Sequence, residues 1–507
     1  MKIIRTDYLI IGSGFGAAAP ALRLSEKGHK VLMIEKGKNI RGREDFRMTQ
    51  DPKYLKQYLK SMSGDNINFT YAEGLGGGSG FYEMVSLRAP SMAFEQKSDN
   101  GTPLWPKEIN REGLNPYYEK AEKLLNVHQI PIDKIPKSGA AFSMLMKNLG
   151  YSCDRARYAV KNCVGSGYCI TGCIYGAKQS LHYNYIPQAE KYGLKIMTGI
   201  DAESIYPLEI GSRNNYKVIC KNESGERITI LTRTLILASG TVGTAKLLLK
   251  SKVNLPNLSN QLGKNICFNG GVKLAGILPE GFLEGDMFTG MSHPGMISYH
   301  FLKSHGITVS SAKPLPLYLM DSKRLKINGQ GDDSSWGRDN VALMKLYRKR
   351  MIVLYALGFA PQTAEIKYLG GDKFKPHLEM NSALERYYHN VHSILESIFE
   401  DNNCELIDVQ QFDSQWKENN KIRFSSTHMI GSCRMGDHKE IGVVDSNCEV
   451  FGYRDMYITD GAVIPSSLAV NSSLTILANA ERVASVLVNK KCRKQILSSI
   501  SQEPSLN

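Results

Sequence analysis

The stretch from Asp7 to Glu35 constrains this chain more than any other. Asp7-Tyr-Leu-Ile-Ile reads as a short buried strand, and Gly12-Ser-Gly14-Phe15-Gly16-Ala17 as a tight turn. Ala18 to Lys27 forms a helix closed by Gly28, and Val31-Leu-Met-Ile34 a second apolar strand that ends on Glu35. Strand, turn, helix, strand and acid in this order make a βαβ unit. Its glycines let a pyrophosphate approach the helix N-terminus, where unpaired N–H groups and the helix dipole favour negative charge. Ala17 takes the third small position, where a larger side chain would hold helix and strand apart. Glu35 is placed to accept hydrogen bonds from an adenosine ribose. The unit predicts an α/β protein with a Rossmann-like, dinucleotide-binding domain.

The fingerprint serves FAD and NAD alike. Its place at the N-terminal end of the sequence favours FAD, as does a second glycine-rich segment, Gly74-Leu-Gly76-Gly77-Gly78-Ser79-Gly80. The backbone N–H groups of that loop can approach a flavin or its phosphates, whereas the plainer reading is an ordinary flexible loop. Further on, Thr232 to Ala238 is another apolar strand, and Ser239-Gly240-Thr-Val-Gly243 leads into a helix from Thr244 to Lys250, the logic of a parallel sheet. Residues 195–231 alternate apolar and polar positions, with turn signals at Asn214-Asn215 and Ser224-Gly225. They predict an antiparallel meander inserted between sheet strands. Residues 271–427 lack nucleotide-binding features, are irregular around Gly329 to Gly337, and read as a separate substrate domain. The Ser-rich stretch from Lys494 to Asn507 is expected to fray.

With 507 residues, 42% hydrophobic and 22% charged, the chain has the balance of a globular protein with a substantial core. Its 63 Lys and Arg against 49 Asp and Glu leave a net charge of +14. The basic residues are dispersed, clustering only at Lys345 to Arg350 and Lys490 to Lys494, and no nucleic-acid-binding signature accompanies them. Nucleic acid is therefore not an expected partner. The N-terminal Met-Lys-Ile-Ile-Arg, with Asp7 soon after, leaves an apolar stretch too short for a signal-peptide core. Even the apolar run Met351 to Pro361 falls short of the roughly 20 residues that cross a bilayer. Ten cysteines without a compact secreted spacing fit a reducing compartment, so a cytoplasmic location is expected.

The C-terminal part carries Ser425-Ser-Thr-His428-Met-Ile-Gly431-Ser-Cys-Arg434, Met456-Tyr-Ile-Thr-Asp460-Gly461-Ala-Val-Ile-Pro465 and Val470-Asn471-Ser472-Ser-Leu-Thr475. With the N-terminal fingerprint and Glu35, Gly76-Gly77-Gly78-Ser79, Trp105-Pro106, Leu114-Asn-Pro-Tyr-Tyr118, Leu237-Ala-Ser-Gly240 and Leu262-Gly-Lys-Asn265, this block resembles the glucose-methanol-choline (GMC) family of FAD-dependent alcohol oxidoreductases. Within that family it is most similar to the cholesterol-oxidase-like branch. The resemblance implies an FAD-binding domain built from residues 1–90, 180–270 and 430–507. It implies a substrate domain from 91–179 and 271–429, with a mixed or antiparallel sheet covered by helices.

It also implies a chemistry: an alcohol gives a hydride to flavin N5 while a base takes its hydroxyl proton. His428 matches the base, and Asn471 the second hydrogen-bonding side chain, able to donate to the alkoxide-like oxygen without changing charge. Ser472, beside Asn471, is counted with the cofactor-binding residues, although the family usually carries proline there. Asp460 and Gly461 match a segment that contacts the ribityl or pyrophosphate groups, Asp460 as a plain helix cap being the alternative. Ala202 matches a position whose backbone contacts adenine.

Met351 to Gly358 resembles the strand that crosses the substrate cavity in the sterol-oxidising branch. Phe359-Ala-Pro-Gln follows where that branch carries an acid. The substrate expected is a small-molecule alcohol, an apolar secondary alcohol such as a sterol before another lipid, terpenoid or sugar alcohol. The electron acceptor stays open among oxygen, a quinone and a protein. A non-catalytic flavin-binding protein is the alternative of another class. Lys53 to Met62 places Tyr54, Leu55, Tyr58, Leu59 and Met62 at helical spacing, either an amphipathic lid in peripheral contact with a membrane or ordinary core packing. No histidine is expected to stand near the Gly76 to Tyr82 loop, where some family members tether the flavin, so noncovalent FAD is expected. No metal motif appears. Cys163, Cys169 and Cys173 have a spacing that can hold an iron–sulfur cluster, as some GMC dehydrogenases do, or simply form a redox-silent loop.

Overall fold

The computed structural model describes residues 2–209, 212–313, 325–327, 338–409, 415–418 and 421–500. The stretch Gly329 to Gly337 lies outside the described residues, as does the end of the Ser-rich tail, 501–507. The helix Ser473–Ile500 reaches into that tail, so its first part is helical rather than frayed.

A largely parallel sheet forms around the predicted βαβ unit. Its strands run in the order Lys195–Thr198, Val31–Glu35, Lys2–Ile11 and Arg227–Leu237, all parallel. The strand Arg227–Leu237 then divides its pairing. Its last residues, Leu235 to Leu237, pair in parallel with Met456–Ile458. Its first half pairs antiparallel with Tyr216–Asn222, which pairs with Ile200–Pro207. The meander therefore spans 200–237, and Lys195–Thr198, expected within it, is an edge strand of the parallel sheet. The long strand explains this branching, because its apolar residues are buried along nearly its whole length and need cover at both ends.

Helices flank this sheet. Phe15–Glu26 packs against Ser473–Ile500, which also meets Arg111–Leu124, while Gly240–Ser251 lies against the meander strand Ile200–Pro207. A bidentate ion pair ties the first two, Arg23 Nη2 and Nε each 2.8 Å from Glu481 Oε1 and Oε2, and Tyr185 Oη donates to the same carboxylate at 2.8 Å.

A second, seven-stranded sheet is antiparallel at every pair. At its centre Met351–Gly358 lies between Val272–Ile277 and Ile307–Ala312. Period-two alternation gives this sheet two different faces. Leu354, Ile352, Val309 and Val272 pack on the helices Ser382–Glu400 and Lys137–Asn148. The opposite face carries Val353, Ala275 and Ile277, and, in the same register, the cross-strand pair Lys273 and Tyr355.

One expectation fails locally. Lys53 to Met62 is not an amphipathic helix: a four-residue helix ends at Leu55, and Leu59–Ser63 forms a hairpin with Ile67–Ala72. Asn66, at φ 62°, turns the chain between them. The wider sheet decides this outcome, because Ile67–Ala72 is held on its other edge by the parallel strand Lys421–Ser426. No described helix is long and apolar enough to cross a membrane.

Candidate active site

Two glycines of the first turn sit where a side chain would collide. A Cβ on Gly12, at φ 100°, would fall 2.3 Å from Ala238 O, and one on Gly16 2.5 Å from Asp460 Cα. The N-terminal turn is thus in contact with Asp460-Gly461. The helix that starts at Phe15 has no side-chain cap and no acid in its first turn, which leaves its N–H groups to an anion. The Gly76 loop meets this turn edge to edge: a Cβ on Gly77 would lie 3.0 Å from Gly14 Cα, whereas Gly78 has open space. Phe15 packs edge-on against Tyr82, ring centroids 5.3 Å apart. Ala17 is fully buried under the helix.

Ser13 joins the two loops to the acid. Its hydroxyl donates to Glu35 Oε2 at 2.6 Å and accepts from Gly76 N–H at 2.9 Å, while Gly37 N–H donates to Glu35 Oε1 at 2.8 Å. Burial pushes the Glu35 carboxyl above its ordinary range, against the hydrogen bonds it accepts from Ser13, Gly37 and Gly74, and a ribose hydroxyl would add a further donor. The residues present fit an FAD: an uncapped helix start, an open glycine loop beside it, and a carboxylate at the second strand's end. Ala202 lies in Ile200–Pro207, near the Glu35 end of the sheet, where Gly199 N–H donates to Gly37 O and Lys36 Nζ is 3.4 Å from Asp201 Oδ2.

Asp460 is a cap as well as a neighbour of the turn. Its Oδ2 accepts from Gly240 N–H at 2.8 Å and Thr244 Oγ1 at 2.6 Å, and its Oδ1 from Ala462 N–H at 2.8 Å. Its side chain is spent on protein donors, so what Asp460-Gly461 presents to Gly16 is backbone.

Two side chains that no motif flagged hold the glycine loop from below. Lys178, 2% exposed, donates to Gly80 O at 2.7 Å and to Cys169 O at 2.5 Å. His182 donates from Nε2 to Leu75 O at 2.5 Å, and its Nδ1 meets Ser180 Oγ at 2.9 Å. Its ring lies where a Cβ on Gly76 would be, which is why that position is glycine. Burial lowers the His182 pKa to about 4 and the Lys178 pKa to about 8. A histidine therefore does stand at the loop in space, but both of its ring nitrogens are engaged with the protein.

His428 follows the strand Lys421–Ser426 and is held by its own N–H donating to Ser426 Oγ at 3.0 Å. The chain beside it is anchored to the cradle: Thr241 Oγ1 donates to Met429 O at 2.7 Å, and Gly431 N–H to Gly461 O at 3.0 Å. Its Nε2 is 3.5 Å from Asn471 Nδ2, and its Nδ1 3.3 Å from Tyr355 Oη. Burial, then the charge of Lys273, lowers its pKa to about 4, so the ring is neutral near pH 7.

Asn471 and Ser472 precede the helix Ser473–Ile500, whose first turn is also free of acids. Without the family's proline, the loop before them is fixed by side chains. Asn269 donates to Val470 O at 2.6 Å and accepts from Leu468 N–H at 2.6 Å, and Thr308 Oγ1 donates to Ala469 O at 2.6 Å. Gln362, in the Phe359-Ala-Pro-Gln segment after the central strand, accepts from Arg434 Nη1 at 2.9 Å and donates to Pro465 O at 2.5 Å. A different acid, Glu83, lies four positions after Ser79. Burial raises its pKa against the opposing charges of Lys273, Lys178 and Lys313.

Cys163, Cys169 and Cys173 line one small cavity with Met84 and Lys178. Gly165 N–H donates to Cys163 Sγ at 3.4 Å and Ser292 N–H to Cys169 Sγ at 3.5 Å. Among the described residues no group of three His, Cys, Asp or Glu side chains is arranged to hold a metal ion.

With this geometry in place, comparison with known proteins fixes the family. At the level of fold, the chain matches pyridoxine 4-oxidase from Mesorbium loti at TM-score 0.68 and 14% identity, covering 95% of this chain and 98% of that one. A formate oxidase variant from Aspergillus oryzae matches at TM-score 0.69 and 13% identity, over 97% and 99%. In sequence, a cholesterol oxidase of Acinetobacter baumannii is 26% identical over 557 aligned residues, covering 96% of this chain and 94% of that protein. A cholesterol oxidase of Mycobacterium tuberculosis is likewise 26% identical, over 96% and 91%. A long-chain-alcohol oxidase of Arabidopsis thaliana is 24% identical, over 96% and 68%. The signature of the GMC oxidoreductases matches residues 6–269 in its N-terminal part and 375–480 in its C-terminal part. More than half of the chain answers to that signature, and the chain belongs to the GMC oxidoreductases, FAD-dependent enzymes that act on alcohols.

Proposed function

We propose that the chain oxidises an apolar secondary alcohol, such as a sterol, to a ketone, with His428 as the base and Asn471 as the donor that holds the substrate oxygen. The observation that carries this reading is the meeting of His428 Nε2 and Asn471 Nδ2 at 3.5 Å, anchored through Met429 and Gly431 to the glycine cradle. An alcohol oxygen can sit at ~2.8 Å from both nitrogens. Its O–H bond breaks as the proton passes to Nε2, and its C–H bond breaks as the electron pair leaves with hydrogen, so the carbon–oxygen bond becomes double. FAD, when bound, supplies the hydride acceptor at flavin N5. The neutral imidazole has a free lone pair to take the proton, and Asn471 donates to the oxygen as negative charge develops.

In this reading Gly12, Gly14, Phe15, Gly16 and Ala17 hold the pyrophosphate and Glu35 the adenosine ribose. Ala202 faces the adenine, and Gly76, Gly77, Gly78, Ser79, Asp460, Gly461 and Ser472 surround the flavin end. Segments 1–90, 180–270 and 430–507 form the cofactor half, and 91–179 with 271–429 the substrate half. FAD is held without a covalent bond, in keeping with the engagement of both His182 nitrogens. The apolar-alcohol class rests on the cholesterol oxidases and the long-chain-alcohol oxidase among the relatives. An alcohol this apolar partitions into lipid, so the protein would meet it at a membrane surface.

The test is anaerobic bleaching of the bound flavin by a panel of sterols and long-chain alcohols. His428→Ala should slow the bleaching by roughly 10² to 10⁴ while the flavin stays bound. Bleaching at the unaltered rate removes His428 from the reaction.

A further inference from the structure

Three facts converge on a residue to which no role has been given above. Tyr355 stands at the centre of the strand Met351–Gly358, paired on one side with Lys273 and on the other with Ser310. A strand bonded along both edges is a stiff support. Its hydroxyl fits because position 271 is glycine: a Cβ there would lie 3.1 Å from Tyr355 Oη. The ring is fixed from its face as well, with Lys273 Nζ 5.2 Å from the centroid.

The second fact is the pair of partners on the imidazole, Tyr355 Oη at 3.3 Å from Nδ1 and Asn471 Nδ2 at 3.5 Å from Nε2. An amide nitrogen only donates, so the Nε2 that faces it presents its lone pair. A neutral imidazole carries one proton, which then lies on Nδ1 and can be donated to the phenol oxygen. The third fact is that the ring is neutral. The charged and titratable groups around it are Lys273 and Tyr355 from the sheet, Tyr387 from the helix Ser382–Glu400 beside Tyr355, and Glu83, which acts on Lys273 and Tyr355.

We propose that Tyr355 is a positioning residue: it accepts the Nδ1 proton of His428 and so leaves the Nε2 lone pair turned toward the alcohol. The proposal rests on the reading of His428 as the base. With the opposite tautomer, Nε2 already holds a proton and has nowhere to place the one from the substrate. Tyr355 therefore acts through His428 without touching the alcohol, and Lys273, seated over the tyrosine, opposes protonation of the ring.

The decisive measurement is NMR of the ¹⁵N-labelled holoenzyme, with the His428 ring assigned by comparison with His428→Gln. The ring should be protonated at Nδ1 in the unaltered protein and at both nitrogens in exchange in Tyr355→Phe. A proton on Nε2 in the unaltered protein overturns the proposal whatever the variants do. In stopped-flow reduction, Tyr355→Phe should lower the limiting rate by about 10- to 100-fold with little change in alcohol affinity. Tyr355→Gln, whose carbonyl accepts the same hydrogen bond, should recover part of the rate. Lys273→Met should move the acid limb of the reduction rate upward toward the ordinary histidine range. An unchanged rate in Tyr355→Phe also overturns the proposal. If His428→Ala reduces its flavin normally while the Nδ1 proton is still found, the base assignment fails and the tautomer assignment stands.

Discussion

At the scale of single residues, this protein keeps three histidines neutral by enclosing them. Burial lowers His182, His293 and His428 to about 4 from an ordinary 6.5. The sign of the consequence follows from which state takes the proton. Between pH 6.5 and 4 the unfolded chain binds it and the folded chain does not, so stability from these residues is present above 6.5 and lost as the pH falls. Asp460 works the other way, because burial raises its carboxyl to about 6. A single-site comparison separates the two. The stability advantage of the unaltered protein over His182→Gln, measured by urea unfolding, should shrink by about 2 kcal/mol between pH 7 and pH 5. An advantage that does not change with pH would mean that His182 takes up its proton in the fold as readily as in the unfolded chain. Residues of this scale divide sharply in how visible they are in sequence. Gly12, Gly14 and Gly16 are legible because they fall at a fixed spacing between an apolar strand and a helix. Tyr355 and Lys273 are not, because they reach His428 across a sheet, Tyr355 from 73 positions away.

At the scale of elements, the ends of helices and strands do the assembling. Asp460 caps the helix Gly240–Ser251 and the turn at Gly461–Val463 with one carboxylate. Asp460→Ala leaves these buried donors without an acceptor and should cost about 2 to 4 kcal/mol in thermal or urea unfolding. Asp460→Asn, which keeps an acceptor oxygen, should lose less. An alanine variant as stable as the parent would show that water replaces the carboxylate. The βαβ unit and the helix after Ser239 follow from periodicity and glycine placement, so they can be read from the chain alone. The stretch from Lys53 to Met62 cannot. Its apolar residues fit helical spacing, yet the edge of Ile67–Ala72 offers a row of unpaired N–H and C=O groups, and satisfying them outweighs the local preference. The meander boundary misleads for a similar reason, since Lys195–Thr198 joins the strand Val31–Glu35 rather than its sequence neighbours.

At the scale of the whole molecule, binding of the cofactor and folding are linked. The cradle takes its walls from the first turn, the Gly76 loop and Asp460-Gly461, which come from both ends of the chain. A ligand that spans them favours the folded state by roughly 2.7 kcal/mol when present at 100 times its dissociation constant. Apoprotein should therefore melt several degrees below holoprotein, with the midpoint rising as FAD is added; a midpoint indifferent to FAD would contradict this coupling. The membership of the family is legible from the order of the motifs, which survives at identities near 26%. The antiparallel sheet around Met351–Gly358 is legible only through that resemblance, because its strand order leaves no local fingerprint comparable to a glycine turn.

The contact between Gly16 and Asp460 also sets a timetable for biosynthesis. A ribosome delivers the fingerprint long before the wall opposite it, because Asp460 lies far behind Gly16 in the sequence. Nascent chains should therefore remain empty of flavin until Asp460 has emerged. A polypeptide truncated just before Asp460 should carry the signature of a flavoenzyme and no colour.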